Sequence, residues 1–285
     1  MPELPEVQTV VDRLDPALAG ARIERVKLRR RDIVKRGAAS FSRRLKGRIV
    51  GGVSRHGKRI IWELDSGEKL NIHLGMTGTL VLSPVTTEVP RHTHLRISFA
   101  GRGEEVRFRD PRRFGGLWLS SATGSAGGGR FGVPLGPDAL AVRLPQFKEI
   151  TRGKRQIKPL LLDQRMIAGL GNIYSDESLF RARIHPRQRA SDLSDSEVAG
   201  LLRSIRAVLR AAIAAGGSSI QDYRNADGQA GWFQLKHAVY GREGLPCRRC
   251  RTKIRRTAVG SRSSHFCPRC QPIRRSGPSD PRPAG

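Results

Sequence analysis

The sequence predicts an α+β chain built as an N-terminal antiparallel β-sandwich, a helical middle and a C-terminal four-cysteine zinc finger. Three observations carry that reading. Eight short apolar runs separated by turn residues fill positions 21–119, a capped amphipathic stripe dominates 137–216, and all four cysteines fall in two C-x2-C pairs near the end. At 285 residues the chain is long enough for two domains and an appendage.

Val7, Val10, Val11 and Leu14 recur at i, i+3, i+4 and i+7, and Pro5 suits a first helical turn, so the chain opens on a helix. Strands are expected at Arg22–Leu28, Ile49–Ser54, Arg59–Leu64, Lys69–Leu74, Leu80–Leu82, His94–Ala100, Glu105–Arg109 and Leu117–Leu119, with Asp65-Ser66-Gly67 and Gly101-Arg102-Gly103 as turns. Domain 1–119 ends there. Residues 120–136, with Gly127-Gly128-Gly129, read as a flexible linker or surface loop. The helical domain spans 137–239. Its clearest helix starts at Ser194, which forms a capping box with Glu197, and stops at Gly216-Gly217. Arg203, Arg206 and Arg210 lie on its polar side. Residues 217–240 lack periodicity and read as a mobile loop. The finger occupies 240–272, and 273–285, rich in Pro, Arg and Ser, reads as a disordered tail.

Cys247, Cys250, Cys267 and Cys270 give C-x2-C, sixteen intervening residues and C-x2-C. Two tight turns each offering two thiolates close a tetrahedral site with no position open for catalysis, so one structural Zn2+ is expected. Disulfides and a thioredoxin-type redox pair fit less well, because nothing marks the chain as secreted and no βαβ context is present.

Lys and Arg number 53 against 25 Asp and Glu, a balance of +28. That excess favours a polyanionic partner, nucleic acid first. From Tyr240 to Gly285 twelve Lys and Arg face only Glu243 and Asp280, which makes the finger a phosphate binder. No apolar run approaches the ~18 residues of a membrane span. The N-terminus lacks signal-peptide regions, so no membrane role and a cytoplasmic or nucleoid location are expected.

Trimming of Met1 would leave Pro2 with a free secondary amine, a nucleophile able to form an iminium ion with a sugar aldehyde carbon. Glu3 and Glu6 stand close enough in sequence to move protons there. Taken alone, the same residues read more readily as an ordinary capped helix start.

Met1-Pro2-Glu3-Leu4-Pro5-Glu6-Val7, His73-Leu74-Gly75-Met76-Thr77-Gly78, Asp110-Pro111-Arg112-Arg113-Phe114-Gly115, Gly169-Leu170-Gly171-Asn172-Ile173-Tyr174 and the finger together resemble bacterial formamidopyrimidine-DNA glycosylase, in family order from Met1 to about Gln271. The resemblance implies a bifunctional repair enzyme acting on damaged double-stranded DNA. It would remove oxidised purines, chiefly 8-oxoguanine and formamidopyrimidines, and then cut the strand by β,δ-elimination. It also implies a helix-two-turn-helix fold for the middle domain. Pro2 and Glu3 match the catalytic pair, with Glu6 in a supporting role. Lys58 matches a backbone-contacting proton donor, and Arg262 the finger arginine that grips phosphates and assists δ-elimination. Met76, Arg112 and Phe114 match residues that fill the hole left by a flipped nucleotide. As isolated residues Met76 and Phe114 would read as core, although Gly75, Gly78, Gly115 and Gly116 suggest exposed turns. His73, His92 and Asn172 match DNA contacts.

The chain also departs from the family pattern. A lysine is usual shortly before Ile157-Lys158-Pro159, yet Gly153 stands at the ungapped position, which leaves Lys154, Lys158 and their arginine neighbours as candidate DNA contacts. A monomer is expected. Two rivals are an endonuclease VIII-like enzyme for oxidised pyrimidines, which Leu4 and the complete His73–Gly78 block disfavour, and a non-enzymatic basic zinc ribbon. The second explains charge and cysteines but leaves Pro2, Glu3 and Arg112-Arg113-Phe114 idle.

Overall fold

The five-residue apolar stripe of the first helix, α1 (Leu4–Leu18), is sealed from solvent, with Val7, Val10, Val11, Leu14 and Leu18 all buried in one core with both sheets that follow. Burial of such side chains contributes about 1.5–3 kcal/mol each. The helix therefore derives its stability from that contact and not from propensity, since Pro16 lies inside it. The computed structural model describes residues 2–121, 131, 133–218 and 231–274.

The chain divides into two units, Met1–Asp138 with Leu209–Lys236, and Ala139–Val208 with His237–Gly285. In the first unit all eight expected strands form, with ends displaced by two residues at most: β1 (Ile23–Leu28), β2 (Val50–His56), β3 (Arg59–Leu64), β4 (Lys69–His73), β5 (Thr79–Pro84), β6 (Thr93–Phe99), β7 (Glu104–Arg109) and β8 (Gly116–Ser120). They make two antiparallel four-stranded sheets, ordered β1-β6-β7-β5 and β2-β3-β4-β8. Trp62, Leu70 and Ile72 of one sheet and Leu80, Ile97 and Phe99 of the other share the core. That is a sandwich. A short helix, α2 (Phe41–Leu45), and a 3-10 turn at Arg31–Ile33 were not anticipated.

Two stretches expected as loose are partly anchored. Within 120–136, Phe131 is buried, its ring centroid 5.5 Å from His73 and 5.6 Å from Trp118. The Gly127-Gly128-Gly129 run lies outside the described residues. Within 217–240, Ser218 bridges Trp232 and a 3-10 turn at Phe233–Lys236 buries Phe233, while 219–230 are outside the described residues, as is the tail from 275.

The second unit carries α3 (Leu144–Thr151), α4 (Ile157–Leu162), α5 (Asn172–Ala182) and most of α6 (Asp195–Ala214). The capping box forms as expected: the Ser194 N–H donates to Glu197 Oε2 at 2.9 Å and the Glu197 N–H to Ser194 Oγ at 3.3 Å. The finger is a hairpin, β9 (Arg255–Val259) and β10 (Arg262–Phe266), whose core joins Phe180 of α5 to Val239, Ile254 and two of the cysteines. Among the described residues no helix is long and apolar enough to cross a membrane.

Candidate active site

Glu3 is the N-cap of α1 and closes a capping box with Glu6, whose Oε2 accepts the Glu3 N–H at 2.8 Å. Oε1 of the same carboxylate accepts the Ser218 N–H at 2.7 Å. Gly217 makes that approach possible. It sits at φ +82°, and a Cβ there would lie 2.9 Å from Glu6 Cγ and Oε1, so only glycine combines the conformation with the clearance. Glu6 is thus a clamp between the N-terminal backbone and residue 218. Pro2 and Glu3 beside it are buried.

Lys58 lies in the turn between β2 and β3 and is only 7 % exposed, unlike a solvated turn lysine. Asp138 holds that turn, accepting the Gly57 N–H at 2.9 Å and ion-pairing with Arg55. Arg55 Nε also donates to Gln8 Oε1 at 2.8 Å, which ties the Lys58 hairpin to α1.

Met76 and Phe114 are 45 % and 37 % exposed, so neither is a core residue. Their loops touch: a Cβ on Gly75, at φ +67°, would fall 2.4 Å from Phe114 C and Gly115 N. Asp110, fully buried, joins them by accepting the Thr77 hydroxyl at 2.7 Å through Oδ1 and the Gly115 N–H at 2.7 Å through Oδ2. His73 Nδ1 accepts the Gly75 N–H at 3.0 Å, and the His92 carbonyl accepts the Asp110 N–H at 3.1 Å, with His92 itself exposed at φ +65°. The Arg112 guanidinium stacks 4.5 Å from the Phe114 ring centroid. A cation, a thioether and an aromatic ring thus protrude from one buttressed pair of turns.

In the second unit Asn172 opens α5 with Gly171 as N-cap, and its Nδ2 lies 3.5 Å from Ser263 Oγ, next to the exposed Arg262 at the start of β10. Lys154 is exposed. Lys158 corrects an expectation. It is fully buried, with Nζ 2.6 Å from Asp176 Oδ1 and donating to the Ser263 carbonyl at 2.7 Å, so it braces the hairpin and is not presented to a phosphate. Asp176 Oδ2 also accepts the His265 N–H at 2.8 Å. Glu177 accepts the backbone N–H groups of Ala238, Val239 and Tyr240 at 2.9–3.1 Å, and burial pushes its carboxyl above the ordinary value against those bonds. Sequence reasoning missed these four bracing carboxylates: Asp110, Asp138, Asp176 and Glu177. Asp110 alone carried a signal, lying within a quoted motif.

The four cysteine sulfurs all lie within 4.8 Å of one another. Separations of 3.4 Å (Cys250 to Cys267), 3.4 Å (Cys250 to Cys270) and 4.0 Å (Cys247 to Cys270) suit a tetrahedral zinc with ~2.3 Å bonds, which puts sulfurs about 3.8 Å apart. Backbone N–H groups of Arg249 and Cys270 point at Cys247 Sγ and Cys267 Sγ at 3.4 Å, as in a thiolate knuckle. Burial and the neighbouring sulfurs push the Cys270 thiol up to about 12 and burial raises Cys267, whereas hydrogen bonds from Thr252 and the other sulfurs bring Cys250 down to about 6. These residues fit one structural zinc.

Three family descriptions match in succession: "Formamidopyrimidine-DNA glycosylase N-terminal domain" over residues 1–117, "Formamidopyrimidine-DNA glycosylase H2TH domain" over 135–224 and "Zinc finger found in FPG and IleRS" over 244–273. The formamidopyrimidine-DNA glycosylase of Roseiflexus sp. is 46 % identical over 276 residues, covering 95 % of this chain and all of that one. That of Thermus thermophilus is 42 % identical over 282 residues, covering 95 % and 98 %. Among solved structures, a Lactococcus lactis FPG mutant bound to Fapy-dG-containing DNA superposes with a TM-score of 0.85 at 35 % identity, covering 95 % of this chain and all of that one. MutM with carbocyclic 8-oxo-G-containing DNA gives 0.83 at 34 %, and the wild-type Lactococcus lactis protein with oxidised-pyrimidine-containing DNA gives 0.83 at 34 %, each with the same coverage.

A two-sheet domain with Pro2 and Glu3 buried, followed by a helical domain and a zinc finger, defines the class as a zinc-finger DNA glycosylase of base-excision repair. Within that class the chain belongs to the formamidopyrimidine-DNA glycosylase family.

Proposed function

We propose that the chain removes 8-oxoguanine and formamidopyrimidines from duplex DNA in the bacterial cytoplasm or nucleoid and then cleaves the abasic strand by β,δ-elimination. The N-terminal sandwich, about 1–119, carries the chemistry. The Pro2 nitrogen attacks the anomeric carbon of an extruded nucleotide while Glu3 protonates the departing sugar-ring oxygen or base, leaving a ring-opened iminium ion. Loss of a proton from the adjacent carbon expels the 3′ phosphate, and a second elimination expels the 5′ phosphate. Lys58, on a hairpin tied to α1, donates protons during these steps, and Arg262 holds the flanking phosphates. Met76, Arg112 and Phe114 fill the space the base vacates. Lys154, His73, His92 and Asn172 contact the DNA.

The observation that carries the reading is Glu6. Both of its oxygens are occupied by backbone N–H groups, so it fixes the N-terminal residues in place and leaves proton transfer to Glu3. An α-amine with an ordinary value near ~8 keeps a usable neutral fraction at pH 7. Borohydride trapping on duplexes carrying 8-oxoguanine tests the proposal, and the expected adduct maps to Pro2. An adduct on a lysine overturns it. The solved complex of the Lactococcus protein with an oxidised pyrimidine keeps pyrimidine excision as a second reading. Trapping on thymine glycol at a rate equal to or above that on 8-oxoguanine would favour it.

A further inference from the structure

At the zinc end of the finger, five arginines, Arg183, Arg249, Arg251, Arg269 and Arg274, line an open hollow of about 770 Å³, and among the described residues its wall contains no carboxylate. Two of the five sit at positive φ, Arg183 at +61° and Arg251 at +64°. An L side chain in that conformation is strained and glycine is not. Arg183 is the left-handed cap of α5, a place that glycine commonly fills, and Arg251 directly follows the second cysteine of the first knuckle. At both positions, then, the backbone favours glycine and the sequence supplies arginine on the wall of one hollow. Arg249 is fixed there as well, its guanidinium 4.7 Å from the Phe180 ring centroid and bonded to the Phe180 carbonyl at 3.2 Å.

Local neutralisation does not account for the set. A four-thiolate zinc carries two negative charges, and Arg274 is paired with Glu197 at 2.6 Å, so five guanidiniums leave a surplus of two. The hollow is also separate from Arg262. That residue begins β10, and the strand runs on to Phe266 before the second knuckle, a path of about 13 Å at ~3.3 Å per residue.

We infer that this hollow binds the phosphate backbone of a second nucleic-acid segment while the Arg262 end of the finger faces the first. Among the described residues its wall offers guanidinium forks and, apart from the cysteines, only Pro272 as an apolar group. Phosphodiesters bind such a surface through charge-assisted bonds and counterion release, whereas an acidic peptide docked specifically needs apolar anchors as well. A chain that grips two segments can pass from one to the other without entering free solution.

The test replaces both strained arginines by the residue their backbone prefers. Full-length zinc-loaded protein is titrated with a 14-base-pair undamaged duplex at physiological salt, and stoichiometry is read by analytical ultracentrifugation. The wild-type chain should bind two duplexes. Arg183→Gly with Arg251→Gly should bind one, melt no lower than wild type and keep its excision rate on 8-oxoguanine. The salt slope of the lost step corresponds to about 0.9 per arginine. Arg25→Gln with Arg43→Gln removes the same charge from exposed positions of the first unit and should still bind two. The inference fails if wild type binds a single duplex, if the glycine pair keeps the second one, or if the Arg25 and Arg43 control loses it. Displacement of the second duplex by a poly-glutamate peptide at equal charge concentration would reassign the hollow to acidic protein. Stoichiometry is measured without catalysis, so failure here and failure of the Pro2 chemistry are separate results.

Discussion

Asp110→Ala should uncouple the turn that carries Met76 from the turn that carries Phe114. The carboxylate is fully buried and accepts two bonds of 2.7 Å, from the Thr77 hydroxyl and the Gly115 N–H. Bonds to a charged group contribute about 1.5–3 kcal/mol each, and a buried N–H left unpaired costs about 1–3 kcal/mol. Relief of the carboxylate's own burial offsets part of that, so a net loss of about 3–4 kcal/mol is expected from these ranges. In a unit of this size 1 kcal/mol moves the midpoint by about 2–4 °C, which places the Ala variant on the order of 10 °C below wild type. Asp110→Asn keeps one acceptor for Gly115 and turns its amide toward the Thr77 oxygen, which can accept, so its loss should be about a third as large. Thermal melting measures the first quantity. Single-turnover excision on an 8-oxoguanine duplex, run well below the melting range, measures the second, and it should fall for Ala while binding to undamaged duplex changes little. If Asp110→Ala melts like Asp65→Ala, an exposed-turn control, or excises at the wild-type rate, the two turns do not depend on this carboxylate and the reasoning is wrong.

Phe114→Ala and Met76→Ala should bind undamaged duplex nearly normally yet excise slowly, because the lost atoms replace stacking worth on the order of a few kcal/mol per step; equal losses on damaged and undamaged DNA would count against a wedge. Arg262→Ala should weaken binding to every duplex and reduce the salt slope by about one unit, and an unchanged slope would remove its phosphate contact. Cys267→Ser should lower metal content from about one zinc per chain and loosen the hairpin that presents Arg262, whereas wild-type protein without zinc would refute the four-thiolate assignment. Burial holds the His237 imidazole down to about 4 against an unfolded value of 6.5. The unfolded chain therefore binds the proton first, so stability conferred by the neutral ring is complete above pH 6.5 and drains away as pH falls toward 4. The melting difference between wild type and His237→Gln should shrink over that window, and a constant difference would contradict it.

The eight strands were legible because each is a short apolar run between turn residues, and the sandwich needs little more than that to be inferred. Sheet order was not. β1 pairs with β6, and β4 with β8, through registers that only the shared core determines. The α2 helix escaped notice because Phe41 and Leu45 are its only buried residues. Lys158 shows the limit of reading charge from sequence: it lies beside Ile157, Leu160 and Leu161, a buried stripe, and its partner Asp176 is on another helix. Buried carboxylates such as Asp138 and Glu177 are illegible for the same reason, since their backbone partners lie far along the chain. Met76, Arg112 and Phe114 stand out in the sequence through their motifs alone, and in the structure all three are exposed.

The bond from Glu6 to Ser218 spans 212 positions. During synthesis at ~5–20 residues per second, its acceptor waits on the order of 10–40 s before its donor has even been polymerised. For all of that time Glu6 holds the Glu3 N–H with one oxygen and lacks the backbone partner of the other, so the first helix can cap itself early while the tie to residue 218 is made late.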